Sequence, residues 1–413
     1  MREKRRHILM LVENFYPQDP RVRNEATLLA REGYRVSVIA WRKPGQVFTE
    51  TIDGVTAYRV RPFELFSKTP DRNASALGIF WLKIKALLGY MAEYGSFTIN
   101  CLMLSVYVLF KEGFDVLHAH NPPDMLFLVA MPYKLLGKKF VFDHHDLCPE
   151  LYQSRYGAKR GFYSKLLRFF EAGSLALANV TIATNESYKQ VQIERGRRDP
   201  KTVFVVRNGP DASRMTPPAP SPRLRGMKKT IICYVGALNP QDGVDYLLRS
   251  LRHLYHDLKR TDFYCVVMGS GDSLADLRAM SKDLKLDACL ELTGFISEED
   301  LRANLAAADI CVDPDPSSPL NDVSTWIKIM EYMAFSKPIV TFDLKETHFS
   351  AQQSALYVPP NDEKAFAQGI ARLMDDPVLR KEMASFGRCR VERELQWAVV
   401  GKNLLSAYEH VCG

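Results

Sequence analysis

The sequence predicts an α/β protein of two doubly wound domains, each a parallel sheet covered by helices on both faces. Short apolar runs alternate with segments of helical length along the chain, and parallel strands buried on both faces have this composition. The length of 413 residues exceeds what one hydrophobic core usually covers. A proline-rich stretch also divides the apolar runs into two series.

The apolar runs of both series are predicted to be strands. The first series comprises His7–Val12, Tyr34–Trp41, Val55–Val60, Asp115–His120, Phe140–His144, Val180–Thr184 and Val203–Arg207. The second comprises Ile231–Val235, Phe263–Met268, Leu290–Thr293, Ile310–Asp313, Pro338–Phe342 and Ala355–Val358. Because doubly wound sheets bind ligands at the carboxyl ends of their strands, residues that directly follow a strand are the candidates for function.

The domain boundary is predicted at the proline-rich stretch Thr216–Pro222, because proline disfavours helices and central strands. The first domain then spans residues 1–209, a linker spans 210–227 and the second domain spans 228–394. Residues 395–413 are predicted to form a further helix. We expect the two sheets to face each other across a cleft.

Composition is that of a soluble globular protein, with 46% hydrophobic and 25% charged residues. The net charge of +7 favours anionic partners such as nucleotide diphosphates or lipid headgroups. The basic runs are short and are expected on solvated faces, so no nucleic-acid partner is predicted.

Eight cysteines are scattered without a Cys-x-x-Cys pair, and several lie inside apolar runs. This pattern indicates buried thiols in a reducing compartment rather than disulfides or a zinc site. The apolar run that begins at Ile8 is too short for the core of a signal peptide. We therefore expect a cytoplasmic protein, with the inner face of the cytoplasmic membrane as a second location.

One long apolar segment, Asn73–Phe110, interrupts the alternation of strands and helices. Its uncharged part is shorter than the ~20 residues that span a bilayer, which favours a buried core helix. The part Asn73–Tyr90 places Lys83 and Lys85 beside apolar side chains, a composition that also suits a helix lying on a membrane surface. Both interpretations stay open from the sequence.

The first strand is followed by Asp19-Pro20, which predicts the cap and the first residue of a helix. Arg21 and Arg23 come next. They are candidates to bind an anionic acceptor, and the alternative is that they are cations on the helix surface.

The strand Asp115–His120 ends in His118-Ala119-His120. Side chains alternate along a strand, so both histidines are predicted to point to the same side. His120 lies nearest the carboxyl end, which favours a functional histidine over one buried in the core.

The string Asp143-His144-His145-Asp146 follows the next strand, and histidine together with aspartate can bind zinc. Consecutive strand residues point to opposite faces, so these four side chains are not expected to converge on one ion. No metal site is predicted.

Two glycine-containing loops follow strands of the second domain, Gly236–Gly243 and Gly269-Ser270-Gly271. Each precedes a helical segment, and glycine lets the backbone approach a phosphate closely. Neither loop is specific alone, but both together favour a nucleotide site. No Gly-x-Gly-x-x-Gly follows the first strand, which disfavours a nicotinamide dehydrogenase.

The most informative stretch is Asn321–Val340. Its polar start, Asn321–Thr325, predicts a loop that opens a helix, whose N–H groups and positive dipole end suit a phosphate. Glu331 lies two turns further along, where a carboxylate can accept hydrogen bonds from sugar hydroxyls.

This stretch resembles the donor-site signature of retaining glycosyltransferases with the two-Rossmann GT-B fold, in family four. The resemblance covers nearly the whole chain, with the motifs in family order. It implies a nucleotide diphosphate sugar as the donor substrate, no cofactor, and Glu331 as the holder of the nucleotide ribose. It also implies that His120 lies near the reacting sugar or the acceptor, and that the helix Leu395–Tyr408 packs back on the first domain.

The candidate site residues follow from these motifs and from the resemblance. The catalytic candidates are His120, Glu331, Lys328 and Asp322. The donor-binding candidates are Gly236, Ala237, Arg207, Asn208, Gly269, Gly271, Phe295, Ile296, Asn321, Ser324 and Thr325. The acceptor-binding candidates are Arg21, Arg23, His144, His145 and Asp146, the last three in a loop similar to one in bacterial sugar-polymer glycosyltransferases.

The chain departs from the family where relatives carry an arginine and a lysine in the first glycine loop, since Ala237 and Asp242 stand there. A diphosphate still needs positive charge or many N–H donors. Lys328, one turn before Glu331, is therefore predicted to supply that charge, with Arg207 in reserve.

A second departure concerns the carboxylate that relatives place eight residues before the ribose-binding glutamate, where this chain has Val323. The donor sugar is therefore assigned to Asn321 and Asp322. The loop that contains Phe295 and Ile296 corresponds to the place where relatives hold the base.

These features together predict a metal-independent transfer of a sugar from a nucleotide diphosphate sugar to an acceptor, with retention of anomeric configuration. The acceptor expected from the resemblance is a lipid-linked glycan, and peripheral membrane association is considered through Asn73–Tyr90. The alternatives are a GT-B nucleotide-sugar epimerase and a non-catalytic sugar-nucleotide or membrane-interaction protein. The missing arginine and lysine favour the last of these, whereas Glu331 disfavours it.

Overall fold

The computed structural model describes residues 6–63, 76–156, 161–211 and 215–413, and this part of the chain forms two compact units. Unit 1 comprises Met1–Gln153, Ala158–Val206 and Gly401–Gly413. Unit 2 comprises Ser154–Gly157 and Arg207–Val400. The chain thus returns to unit 1 for its last helix.

Within the described residues, unit 1 contains an eight-stranded sheet in the order β3-β4-β2-β1-β5-β6-β7-β8. Its strands are β1 (His7–Phe15), β2 (Arg35–Trp41), β3 (Thr49–Ile52), β4 (Val55–Val60), β5 (Val116–His120), β6 (Lys139–His144), β7 (Val180–Ala183) and β8 (Val203–Val205). All pairings are parallel except that of β3 with β4. The sequence did not predict β3, because this polar strand at the sheet edge has no apolar run.

The helices of unit 1 are α1 (Pro20–Arg31), α2 (Ala76–Lys111), α3 (Phe127–Leu135), α4 (Cys148–Tyr156), α5 (Phe162–Leu177) and α6 (Glu186–Glu194), with the terminal helix Lys402–Cys412. The predicted start of α1 is confirmed. Asp19 is its cap and accepts a hydrogen bond from the N–H of Arg21, and Pro20 occupies the first helical position.

The long apolar segment forms most of α2, and Met91–Lys111 is long and apolar enough to cross a membrane by length and composition. One face of that stretch is buried in the core of unit 1 through Phe97, Cys101 and Val108. The opposite face is apolar and exposed. The surface-helix prediction for Asn73–Tyr90 concerns residues 73–75 and side chains between 76 and 90 that mostly lie outside the described residues.

Unit 2 contains a six-stranded parallel sheet, in the order β11-β10-β9-β12-β13-β14 over the described residues. Its strands are β9 (Thr230–Val235), β10 (Phe263–Met268), β11 (Leu290–Gly294), β12 (Ile310–Asp313), β13 (Ile339–Phe342) and β14 (Ala355–Val358). Its helices are α7 (Pro222–Gly226), α8 (Val244–Arg252), α9 (Leu274–Asp283), α10 (Glu298–Ala307), α11 (Ile327–Ala334), α12 (Lys345–Ala351), α13 (Glu363–Asp375), α14 (Pro377–Arg390) and α15 (Trp397–Val400).

Strand β9 shows why its apolar run is continuous. Ile232 and Tyr234 pack into the core on one face of the sheet, while Ile231 and Cys233 pack into the core on the other. Both faces are therefore buried, as parallel sheets require. Each predicted strand of both series is present in the structure, with ends that differ by at most a few residues.

The predicted linker is not wholly irregular, because Pro222–Gly226 forms α7 inside it. Pro222 begins that helix, at the one helical position where a missing N–H costs nothing. The terminal helix packs beside β8, where Asn403 Nδ2 donates to Val205 O at 2.9 Å.

Each sheet has a point where the order of its strands reverses direction. In unit 1 this point lies between β1 and β5, and in unit 2 it lies between β9 and β12. Doubly wound sheets bind ligands at the carboxyl edge beside such a switch point. The residues that follow these four strands are therefore the candidates for ligand binding.

Candidate active site

The loops that follow β9 and β10 in unit 2 bond to each other through their backbones. Gly236 N donates to Met268 O at 3.1 Å, and Leu238 N donates to Ser270 O at 3.1 Å. The two loops are thus held against each other by their backbones.

Two glycines are required by that packing. A Cβ atom on Gly269, whose φ is +151°, would lie 1.8 Å from the carbonyl oxygen of Gly236. One on Gly271 would lie 2.5 Å from the carbonyl oxygen of Leu238. The sequence assigned both glycines to the approach of a phosphate, and the structure gives them a further reason, the contact between neighbouring loops.

Lys328 lies buried in the first turn of α11, between two fully buried aspartates. Its Nζ is 3.0 Å from Asp313 Oδ1 and 2.5 Å from Asp315 Oδ2. Burial disfavours the charged ammonium, but the two carboxyl groups raise the pKa of Lys328 well above its ordinary value. Burial and the charge of Asp313 in turn raise the pKa of Asp315. The ammonium charge is therefore already matched inside unit 2, a pairing that the sequence did not predict.

The polar stretch does not open the helix directly. Asn321–Val323 forms a separate short turn, and α11 begins only at Ile327. The Ser324 hydroxyl donates to Leu320 O at 2.7 Å, which ties that side chain back to the turn. The stretch is thus a loop that precedes the helix, as predicted, with Trp326 between Thr325 and the first residue of α11.

Asn321 is fully buried and bridges two loops, since its Nδ2 donates at 2.9 Å to Gln241 O and to Pro316 O. The hydroxyl of Ser317 donates to Asp322 Oδ2 at 3.2 Å. Glu331 is half-buried on the second turn of α11. The donor-sugar and ribose roles of Asn321, Asp322 and Glu331 stay predictions.

The remaining donor candidates of unit 2 lie on different loops. Arg207 is buried, stacks on the Phe349 ring at 4.1 Å, and places Nη2 3.4 Å from Glu346 Oε2. Thr325 Oγ1 donates to the same carboxylate oxygen at 3.4 Å. Asn208 is half-buried beside Arg207.

The loop after β11 presents the two residues assigned to the base. Phe295 is 86% exposed, whereas Ile296 packs partly against the core of unit 2. An exposed aromatic ring at the carboxyl edge is a suitable surface for stacking, and the assignment stays a prediction.

In unit 1, four side chains from three elements meet at the carboxyl edge: Glu25 of α1, His118 and His120 of β5, and Asp143 of β6. One ligand atom from each lies within 4.8 Å of the others, and all four side chains are buried. Asp143 Oδ2 is 3.1 Å from His120 Nδ1 and 3.8 Å from His118 Nε2. The two histidines thus point to the same side, as the period of the strand predicts.

The pKa values of the two carboxyl groups of this set are shifted in opposite directions. Burial alone would raise the pKa of Asp143, but His145 and His120 hold it well below its ordinary value. Burial and the negative charge of Asp143 raise the pKa of Glu25 well above its ordinary value.

His144 and His145 point to opposite sides, as strand geometry predicts. His145 Nε2 is 3.0 Å from Asp143 Oδ2, whereas His144 Nε2 is 3.4 Å from Glu171 Oε1 on α5. Burial disfavours the charged form of His144, but Glu171 raises its pKa above the ordinary value. The string Asp143–Asp146 is therefore divided between two clusters.

Asn121 fixes the loop that joins these clusters. Its Nδ2 donates to Asp124 Oδ1 and to Asp146 O, both at 2.7 Å, while its Oδ1 accepts from His145 N at 2.6 Å. The Asp146 side chain is half-buried beside it.

The two arginine candidates of unit 1 are both half-buried near the start of α1. Arg21 Nη2 lies 2.9 Å from Asp19 Oδ2. Asp19 is buried, which favours its neutral form, yet Arg21 holds its pKa well below the ordinary value. The acceptor roles of Arg21 and Arg23 stay predictions.

Two known protein families match most of the length of this chain. Residues 21–214 match the family described as "Glycosyltransferase Family 4", and residues 229–376 match "Glycosyl transferases group 1". The chain belongs to family 4 of the glycosyltransferases.

Characterised relatives of this family-4 glycosyltransferase differ in their substrates. It is 27% identical over 209 residues to the GDP-mannose-dependent monoacylated alpha-(1-6)-phosphatidylinositol monomannoside mannosyltransferase of Corynebacterium glutamicum, covering 48% of this chain and 53% of the relative. It is 25% identical over 185 residues to the alpha-D-kanosaminyltransferase of Streptomyces kanamyceticus, covering 44% and 46%. The chain thus matches about half the length of these relatives.

Solved structures establish the GT-B fold of this family-4 glycosyltransferase. A sucrose-phosphate synthase from Thermosynechococcus elongatus has a TM-score of 0.74 at 18% identity, covering 99% of both chains. The Anabaena protein HepE in complex with UDP-glucose has a TM-score of 0.66 at 14% identity, covering 98% of this chain and 99% of that one.

One place where this chain departs from the family pattern is used for local structure. Asp242 caps the turn before α8 by accepting from Asn239 N at 2.9 Å. A lysine at position 242 would lose that cap, so the exchange changes the loop as well as its charge.

Several residues near these sites were not predicted from the sequence of this family-4 glycosyltransferase. Glu25 and Tyr408 reach the histidines of unit 1 from distant segments, and Asp313 and Asp315 reach Lys328. The string Asp313-Pro314-Asp315 directly after a strand was a usable signal, because it places two carboxyl groups at a carboxyl edge. No comparable signal marks Glu25 or Tyr408, which lie in amphipathic helices.

Proposed function

We propose that this chain transfers a sugar from a nucleotide diphosphate sugar to an acceptor, with retention of anomeric configuration. The observation that carries the proposal is the carboxyl edge of unit 2, where backbone-packed glycine loops, the start of α11 and Glu331 lie beside the switch point of a doubly wound sheet. Backbone N–H groups and a helix N-terminus are suited to a diphosphate.

On the donor side, Glu331 is the proposed ribose ligand, with Asn321 and Asp322 toward the sugar and Phe295 toward the base. A nucleotide sugar as donor is supported by the UDP-glucose named for the HepE complex and the GDP-mannose named for the mannosyltransferase relative. No metal ion is proposed at the diphosphate. The developing charge would be met by pre-organised backbone donors and by Lys328 shared with its aspartates.

On the acceptor side, His120 is the proposed group beside the reacting sugar, and Arg21, Arg23, His145 and Asp146 are the proposed acceptor contacts. A lipid-linked acceptor is supported by the acylated phosphatidylinositol mannoside in the name of one relative. The surface of unit 1 gives a second, independent line of support.

That surface is an apolar face formed by α2, α3 and α5, which pack together through Ser105 with Tyr133 and through Phe127 with Phe170. Its exposed side chains include Phe110, Leu135 and Phe162, which are 85%, 90% and 83% exposed. Others on the same helices are Ile99, Leu102, Met103, Val106, Tyr107, Leu128, Met131 and Phe169. Large contiguous apolar surface on a soluble protein marks an interaction site.

Basic residues border this apolar face, among them Lys111 at the end of α2, Lys138 and Lys139 after α3, and Lys165 and Arg168 on α5. An apolar surface with a cationic border suits the headgroups and acyl boundary of an anionic bilayer. We propose that the apolar face seats unit 1 on the membrane that holds the acceptor.

Donor binding tests the proposed site first. The full chain should bind a nucleoside diphosphate in calorimetry, and Glu331→Gln should weaken that binding by about 1.5–3 kcal/mol, the range for hydrogen bonds to a charged group. Glu382→Gln, an exposed glutamate on α14, is the matched control and should bind as the parent does. Equal affinity of both variants would exclude Glu331 from the site.

Turnover then separates transfer from its alternatives. Incubation with a panel of nucleotide sugars and lipid-linked glycans should yield a lengthened glycan that keeps the donor's anomeric configuration. His120→Ala should abolish turnover and leave nucleotide affinity unchanged. Conversion of the donor to an epimer without acceptor would replace transfer by epimerisation, and binding without any turnover would indicate a non-catalytic protein.

Sedimentation with anionic vesicles tests the apolar face. The parent should sediment with phosphatidylglycerol vesicles, and the double variant Leu135→Glu/Phe162→Glu should remain in the supernatant. Val378→Glu introduces the same charge at an exposed apolar residue of unit 2 and should sediment as the parent does. Equal sedimentation of the double variant and the control would exclude the apolar face as the docking surface.

A further inference from the structure

The four side chains Glu25, His118, His120 and Asp143, here called the switch-point cluster, contain more buried polar atoms than the protein satisfies. The exposed fractions of these residues are between 0% and 2%. Glu25 Oε2, His118 Nε2, His120 Nε2 and Asp143 Oδ1 make no hydrogen bond within the described part of the chain. Buried polar atoms normally have a partner, and three of these atoms, Glu25 Oε2, His118 Nε2 and Asp143 Oδ1, are placed to share one bound group.

We propose that the switch-point cluster binds one divalent transition-metal ion, with zinc as the ion its chemistry fits best. Two imidazoles and two carboxyl groups form the nitrogen and oxygen set that zinc accepts, whereas magnesium and calcium prefer oxygen ligands alone. The ligand atoms already lie within 4.8 Å of one another. Around a tetrahedral zinc ion with bonds of ~2.0–2.1 Å, ligand atoms lie ~3.3–3.4 Å apart, so the widest pairs would have to move closer by up to ~1.4 Å when the ion binds.

Hydrogen bonds around the cluster orient its ligands as metal sites require. The Tyr408 hydroxyl lies 2.9 Å from His118 Nδ1, which leaves His118 Nε2 directed toward Asp143. His145 Nε2 lies 3.0 Å from Asp143 Oδ2 and can donate to it, which leaves Asp143 Oδ1 for the ion. Partners of this kind fix the tautomer of a ligating histidine and the orientation of a ligating carboxylate.

The four ligands come from three separate elements, and their burial excludes an open coordination position for substrate. The site is therefore of the closed, structural kind. It would hold α1 and the ends of β5 and β6 in register at the switch point of unit 1. With His120 bound through Nδ1, its Nε2 carries the proton.

Metal content tests the proposal without any measurement of sugar transfer, so its failure is distinct from failure of the proposed function. The full chain, stripped by a chelator under native conditions and then dialysed against zinc, should retain about one ion per chain by elemental analysis. Cobalt should replace zinc and give the visible absorption of a four-coordinate site. Zinc should also raise the thermal midpoint.

Three variants assign the ion to the switch-point cluster. Glu25→Gln and His118→Ala each remove a ligand and should abolish the stoichiometric ion and the cobalt absorption. Tyr408→Phe keeps every ligand and removes only an orienting hydroxyl, so it should bind zinc 10–100-fold more weakly, the usual effect of such a partner. His410→Ala, an exposed histidine two residues away, should bind as the parent does.

Two results would overturn the proposal. One is a parent chain that holds no stoichiometric zinc or cobalt after reconstitution, which would make the cluster a proton-sharing network. The other is undiminished metal binding by Glu25→Gln, which would place the ion elsewhere. If His118→Ala does not fold, Glu25→Gln and Tyr408→Phe still decide the outcome, because both preserve the shape of the core.

Discussion

The carboxyl edges of the two units are built in different ways. In unit 1 the loops after the strands are held by side chains, with Asn121 bonding to three residues and histidines crowding around Asp143. In unit 2 the loops bond backbone to backbone across glycines, and charged side chains enter chiefly through Lys328 and its two aspartates.

This difference shows what each edge can recognise. An edge lined by backbone binds groups that many ligands share, such as a diphosphate, and tolerates changes in side chains. An edge lined by titratable side chains is specific for a particular chemistry and is sensitive to single substitutions. We therefore expect unit 2 to be disturbed mainly through its backbone packing and its buried ion pair, and unit 1 through its polar side chains.

The largest effect is expected at Lys328, the buried charged side chain at the carboxyl edge of unit 2. Lys328→Ala leaves Asp313 and Asp315 buried without their cation, which typically costs roughly 3–5 kcal/mol. We therefore expect the free energy of unfolding of unit 2 to fall by about that amount. Hydrogen exchange resolved by peptide separates unit 2 from unit 1 in this measurement.

Adding Asp313→Asn to that variant removes one of the two unpaired carboxyl groups and should recover part of the loss of stability. In Lys328→Ala, the free energy of opening measured at the β9 and β12 peptides would contradict this expectation if it stayed within ~1 kcal/mol of the parent value, about the cost of an exposed ion pair. That result would show that the pairing of Lys328 with its aspartates contributes little to the stability of unit 2.

A smaller effect is expected at Gly269, where the backbone packing of unit 2 is tightest. Gly269→Ala forces a side chain into a φ of +151° and against the carbonyl of Gly236, and the backbone strain alone costs roughly 1–3 kcal/mol. Gly95→Ala on α2 meets nothing within 4 Å and should stabilise unit 1 slightly, by about 0.5–1 kcal/mol. Equal thermal midpoints for the two variants would contradict the packing role of Gly269.

The sequence predicts the local features of both units and misses the contacts between distant segments. In the part of the chain that the structure describes, apolar runs predicted each strand that is buried on both faces and missed only the polar edge strand β3. His118, His120 and the glycine loops were placed correctly at carboxyl edges because strand period and strand end are local properties. The polar stretch Asn321–Thr325 was predicted as a loop before α11, and the structure adds a short turn at Asn321–Val323 within it.

What the sequence could not give is the set of partners from distant segments. The pairing of Lys328 with Asp313 and Asp315 could not be predicted, because the two aspartates precede it by more than ten residues and no local pattern links them. Glu25 lies on a helix whose spacing predicts only that one face is buried. Long-range juxtaposition of this kind is fixed by tertiary packing rather than by local preference.

The smallest effect is expected at Asp19, whose role at the start of α1 depends on pH. Its pKa in the folded chain lies below the ordinary value of 3.8, so the unfolded chain binds more protons near that pH and stability rises with pH there. The stabilisation is present above the ordinary value and is lost as the pH falls below it.

Asp19→Asn keeps a capping side chain but lacks the charge, and it should cost about 1 kcal/mol at pH 7. The difference between variant and parent in thermal midpoint should narrow progressively below pH 4. A constant difference from pH 7 to pH 3 would show that the charge of Asp19 has no part in the stability of unit 1.

The contact of Tyr408 with His118 bears on how the chain reaches its native state during synthesis. His118 leaves the ribosome early, but its partner is translated only after the whole of unit 2. At 5–20 residues per second, the intervening stretch takes roughly 15–60 s to make. Until Tyr408 is made, the polar atoms of these histidines, which are buried in the native protein, are open to water, to ions and to chaperones.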